Sequence, residues 1–189
     1  MNANADLDPQ ELKFLAIQAS RDNHADQALS YLKQAIRHAP TDGELHYLLA
    51  AEHAQLGMYD RAAEGMERAL TLAPGMHTAR LQLGLLYLTQ ANAEASTRIL
   101  APLAEQEGRN HFGLFALGLL HLMHDRFPAC RAALMEGIAL NDQNAALNGD
   151  MQKILDALPP PGLEPDQAPA ASTDSNIWLS AYRQNDTPN

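Results

Sequence analysis

A chain of 189 residues with 46% hydrophobic content can bury one core and carry a tail. It holds no valine and only 5% aromatics, while alanine and leucine dominate, so a strand-rich fold is excluded and helix is favoured. The net charge of −10 excludes a general affinity for nucleic-acid phosphates or anionic lipid, and the single cysteine, Cys130, excludes an internal disulfide.

Residues 1–8 read as an N-terminal flank, with no basic residue leading into an apolar run, so no signal peptide is expected. No stretch nears the roughly 18 consecutive apolar residues of a membrane span. The expected setting is cytoplasmic, with no membrane insertion. From there helices are predicted over 9–22, 25–39, 43–56, 59–73, 77–91, 93–107, 111–124, 127–141 and 144–157. Asp8-Pro9-Gln10-Glu11 opens the first as an N-cap, a proline at the first helical position and an acid in the first turn. Thr41-Asp42-Gly43-Glu44 opens the third and predicts a capping box, with Glu44 reaching back to Thr41. Gly57 and Gly75 fall between helices, where a positive φ is often needed. The ninth helix carries Ala146, Leu147, Met151, Ile154, Leu155 and Leu158 as an apolar stripe, fit to cap an open end. Beyond Leu158, residues 159–189 form a Pro/Ala-rich tail expected to be disordered. It contains a short aromatic motif at 176–183 with Ile177, Trp178, Leu179 and Tyr182.

A 34-residue period runs through these helices. Pro40 and Pro74 are 34 apart. Leu15-Ala16, Leu49-Ala50, Leu83-Gly84 and Leu117-Gly118 recur at that interval, as do Ala28, Ala62, Ser96 and Cys130, then Leu32, Met66, Leu100 and Leu134. In this register the chain resembles the tetratricopeptide repeat family over residues 9–142, as repeats 9–42, 43–76, 77–110 and 111–142 with a capping helix at 144–157. It departs where the family has tryptophan, reading Leu12, His46, Arg80 and Leu114, and where a closing proline is replaced by Gly108 and Asp142. The resemblance implies an all-α, right-handed superhelical solenoid of antiparallel helix pairs.

By the same resemblance, the first helix of each repeat lines an inner groove. The groove residues are then Lys13 and Ile17, Tyr47, then Leu81, Leu85 and Leu88, and finally Phe112, Phe115, Leu119, Leu122 and Met123. Such a groove would run from polar to apolar and suit an apolar peptide or amphipathic helix. Lys13 stands where some members clamp a carboxylate, but Ile17 replaces the asparagine that clamp needs. The bland account is that the apolar side chains only pack against the next repeat.

No phosphate loop, zincin motif or nucleophile elbow occurs, and a lone Cys130 at a small packing position reads as a buried thiol. His46 with His53, and His121 with His124, share helix faces that could hold a metal, but His53 and His121 occupy the aromatic packing position. No enzyme activity, cofactor or metal is therefore expected. The expected function is a protein-interaction module, a scaffold, assembly factor or chaperone holding a protein or peptide client. The alternative is a self-associating subunit whose repeat three–four face drives homo-oligomerisation. The tail motif is a further candidate occupant of the groove, of its own chain or of a neighbouring copy.

Overall fold

The computed structural model describes residues 7–106 and 109–160. Among the described residues the regular elements are helices: α1 Pro9–Arg21, α2 Ala25–His38, α3 Gly43–Gln55, α4 Tyr59–Leu72, α5 His77–Thr89, α6 Ala93–Ala104, α7 His111–Leu122, α8 Phe127–Leu140 and α9 Ala145–Ala157. Their ends lie within three residues of those the sequence predicts. The largest shortfall is α6, where Pro102 removes an N–H donor in the last turn and the helix ends at Ala104. The tail with its 176–183 motif lies outside the described residues.

The helices start where capping chemistry allows. Asp8 accepts from the Gln10 and Glu11 amides and Glu11 accepts from the Asp8 amide, a complete capping box. The box expected at Thr41 is not formed. Asp42 is the N-cap of α3, accepting from the Glu44 and Leu45 amides, and the Glu44 carboxylate turns instead to Lys13. A carboxylate beside an ammonium gains more than one reaching back to a neutral amide.

The turns inside the helix pairs repeat with the same period as the sequence. Asn23, Gly57, Ala91 and Asp125, each 34 residues after the last, all take positive φ between 54° and 72°. In each, the following residue's amide bonds a carbonyl near the end of the preceding helix: His24 to Ala19, Met58 to His53, Asn92 to Tyr87 and Arg126 to His121. These are Schellman closures that satisfy carbonyls orphaned at a helix C-terminus. Gly57 supplies this conformation without a Cβ clash. Gly75, expected to do the same, has no positive φ.

The lost tryptophan position has a local explanation. His46 Nε2 donates to the Pro40 carbonyl at 2.9 Å, and Arg80 Nη2 donates to the Pro74 carbonyl at 3.2 Å. Each polar side chain thus binds the closing proline of the preceding repeat, a carbonyl at a chain reversal that would otherwise lack a helical partner.

The chain divides into two compact units, Met1–Arg80 and Leu81–Asn189. In the first, α1 packs on α2 and α3 on α4, around Leu12, Ala16, Leu32, Ala35 and Leu45. In the second, α6 packs on α7, α7 on α8, and α8 on α9, around a larger cluster that includes Leu81, Leu100, Phe115, Leu134 and Met151. Glycine sets the helix spacing there. A Cβ on Gly118 would enter the Leu134 side chain, one on Gly84 would enter that of Leu100, and one on Gly137 would enter the Phe115 ring. Ser96, buried at the small position of α6, satisfies its hydroxyl on the Gly84 carbonyl at 2.8 Å. A buried asparagine joins α9 to α8: the Asn141 amide group donates to the Asn144 carbonyl and to Asn148 Oδ1, and Asn148 donates back to the Asn141 carbonyl.

Candidate functional site

The predicted groove residues separate into two classes. In the first unit, Lys13 on α1 donates to Glu44 on α3 at 2.9 Å. Ile17 lies one turn beyond Lys13 on α1, and Tyr47 nearly one turn beyond Glu44 on α3, so each shares a helix face with one member of the ion pair and the four mark out a strip. Ile17 and Tyr47 are half-buried, while Glu44 is exposed. The strip presents one cation, one anion, an aliphatic chain and a phenol.

In the second unit the expectation fails. Leu81, Leu88, Phe115, Leu119 and Leu122 are buried in the hydrophobic core. Leu85, Phe112 and Met123 are half-buried and pack against the same cluster. Phe115 lies over Gly137 of α8, filling the space a larger residue would need. Burying a phenylalanine or leucine side chain is worth about 1.5–3 kcal/mol, so apolar residues at these positions are drawn inward wherever a neighbouring surface allows it. The apolar stretch is therefore core rather than an open groove. Leu85, Phe112 and Met123 keep part of their surface open.

Burial lowers the pKa of His53, assisted by Lys33 and Arg61, and burial lowers that of His121, assisted by Arg126 and His124. Both imidazoles thereby favour the neutral form. Burial pushes the Cys130 thiol up to about 12, leaving almost no thiolate at neutral pH. Among the described residues no group of three or more His, Cys, Asp or Glu side chains is placed to hold a metal ion, and no helix is long and apolar enough to cross a membrane.

Sequence reasoning missed the apolar residues that do reach the surface. Phe14 on α1 is 60% exposed, Met135 on α8 is 58% exposed, and Leu56, Met58 and Tyr59 cluster at the α3–α4 turn. The 34-residue register carries a signal for Met135. Its counterparts in the first two repeats are Lys33 and Glu67, so an outward-facing position changes from charged to apolar.

The chain matches no protein-family model and no curated protein. It is similar in structure to MamA residues 41-end from Desulfovibrio magneticus RS-1, at 22% identity and TM-score 0.55, over 78% of this chain and 85% of that one. A double mutant of the RS-1 MamA gives 21% identity and TM-score 0.55 over 76% and 83% of the two chains. MamA of strain AMB-1 gives 21% and 0.54 over 78% of each. With its helix pairs and 34-residue turn period, the chain has the all-α, tetratricopeptide-like helical-repeat fold of these structures.

Proposed function

We propose that the chain is a protein-interaction module, a scaffold or assembly factor, that grips a polypeptide client on the α1–α3 strip of its first unit. What supports this reading is the 2.9 Å Lys13–Glu44 ion pair between α1 and α3, with half-buried Ile17 and Tyr47 about one helical turn away on the same two helices. Ion pairs on a partly solvated surface contribute little to stability, about 0–1 kcal/mol. The Lys13–Glu44 pair is therefore cheap to rearrange when a partner's carboxylate or ammonium competes for either member. Ile17 and Tyr47 supply the apolar contact, and tyrosine is among the residues enriched at binding hot spots. An extended peptide with one charged and one apolar side chain matches this strip. The overall charge of −10 argues against nucleic acid as the partner. A chaperone-like role and a cytoplasmic location belong to the same proposal.

The test is affinity capture with the full chain and with Ile17→Glu and Tyr47→Ala. Both variants are expected to keep the helical circular-dichroism spectrum and to lose the polypeptides that the wild type retains. An unchanged set of retained polypeptides overturns the reading. Self-association is the second reading, and what supports it is Phe14, 60% exposed within α1. Light scattering over a dilution series separates the two: Phe14→Ser would abolish a dimer but leave client capture intact.

A further inference from the structure

Four outward positions of the second helix in each repeat lie on one face, spaced by three and four residues. In α2 they are Asp26, Ser30, Lys33 and Arg37, and in α4 they are Asp60, Glu64, Glu67 and Thr71. In α8 the same register reads Pro128, Ala132, Met135 and Ala139, all exposed. A solvated helix face in a repeat protein is normally polar, and an apolar one marks a contact.

The chain itself is anchored beside this stripe. Arg131 Nη2 donates to the Pro159 carbonyl at 2.9 Å, just past the end of α9. Arg131 is one turn from Met135 on α8, a spacing of about 5–6 Å between Cβ atoms. The described structure ends at Pro160. The sequence that follows runs 16 residues before the uncharged stretch Ile177-Trp178-Leu179-Ser180-Ala181-Tyr182, flanked by Asp174 and Arg183. A 16-residue chain of random-coil dimensions would span roughly 20–24 Å. The stripe from Pro128 to Ala139 is about 16 Å long at a rise of 1.5 Å per residue, so its whole length is within reach.

We propose that the outward face of α8 is the seat of the tail segment 177–182 of the same chain, with Trp178 packed over Met135. The stripe fits this occupant better than a second copy. A stable protein–protein interface covers about 800 Å² on each partner, from roughly 20–30 residues, and four small or medium side chains supply only a fraction of that. A tethered peptide needs far less area, because the tether raises its local concentration to about mM. A segment with an intrinsic Kd near 0.1 mM would then be about nine-tenths seated. The contact stands independently of the proposed client strip, which lies on other helices.

Trp178 is the only tryptophan, so its fluorescence reports the seat directly in the full chain. Emission and acrylamide quenching are measured over a wide dilution range for the wild type and Met135→Glu. Glutamate is the residue repeat two carries at the matching position, Glu67, so the substitution suits an exposed helix site. The expected wild-type signal is blue-shifted, shielded from quencher and independent of concentration. Met135→Glu is expected to weaken the segment roughly tenfold, to about half seated at the mM tether concentration, moving emission toward that of free tryptophan. Ala132→Glu is expected to do the same from the neighbouring turn. A wild-type tryptophan as solvent-like as the free amino acid overturns the proposal. So does a blue shift indifferent to both variants, and so does one that vanishes on dilution, which would instead place a second copy on the stripe.

Discussion

The fifth residue of each repeat is Lys13, Tyr47, Leu81 and Phe115 in turn. In the first unit both remain partly open, with Lys13 tied to Glu44. In the second unit both are fully buried. One register position thus serves as surface in one half and core in the other. Repeat position fixes where a side chain starts on its helix, and its chemistry decides whether neighbours close over it. Lysine keeps its charged end in water, whereas leucine and phenylalanine gain by losing it. Gly137, opposite Phe115, shows how far the second unit is shaped around that burial.

Alanine at this position should have opposite consequences in the two halves. Phe115→Ala removes a fully buried ring and leaves a cavity, at an expected cost of about 3–5 kcal/mol. Lys13→Ala breaks only a partly exposed ion pair and should cost less than about 1 kcal/mol, with client capture falling instead. Denaturant unfolding of the two variants checks the contrast. Equal costs would erase the distinction between core and strip.

Helix spacing sharpens the same comparison. At the eighth repeat position the first unit carries Ala16 and Ala50, and the second carries Gly84 and Gly118. Gly118→Ala would drive a methyl group into Leu134, at about 2.5 Å from its nearest atom, so overpacking should cost about 1–3 kcal/mol. Leu134→Val on the same background should recover part of the loss, which unfolding midpoints of the single and double variants would reveal. Additive costs would mean that the two side chains do not meet.

The helices were legible because caps, prolines and a 34-residue spacing act locally. Asp8-Pro9 and the left-handed Gly57 need no knowledge of the tertiary fold, whereas the equivalent turns at Asn23, Ala91 and Asp125 carry no glycine to announce them. The groove was not legible, because Leu81, Phe115 and Leu119 read identically whether they face a partner or their own chain. Exposure there depends on what packs across them, which the helical period does not encode. Glu44 was misjudged for a related reason. Its local partner was outcompeted by Lys13, distant by 31 residues. The outward stripe of α8 could have been read, by comparing equivalent positions between repeats rather than searching each helix alone.

The turns offer a reciprocal pair. Gly57 and Ala91 occupy equivalent left-handed positions, at φ of 72° and 59°. A residue with a Cβ costs about 1–2 kcal/mol there, offset by the greater unfolded-state freedom of glycine, about 0.4–1 kcal/mol. Gly57→Ala should therefore destabilise, and Ala91→Gly should stabilise, each by up to about 1 kcal/mol. Thermal unfolding that moved both variants in the same direction would show that the two turns are not equivalent.

The smallest effect is a shared dependence on pH. His53 in the first unit and His121 in the second occupy the same repeat position, and both have pKa values lowered from the ordinary 6.5. Well above pH 6.5, both are neutral in the folded and unfolded chain, and they cost nothing. As pH falls through 6.5 the unfolded chain takes up protons that the folded chain resists, because partial burial and nearby cations disfavour imidazolium. Stability contributed by these groups should thus decline below about pH 6.5, and the decline should level off once pH passes below the folded-state values. Both rings are partly solvated, so the slope should be shallow. Replacing either histidine with glutamine removes one titrating group and should flatten part of the slope between urea midpoints at about pH 7.5 and 5.5. If the two single variants flatten it unequally, the half that responds more is the one whose helix pair is packed more tightly around the ring.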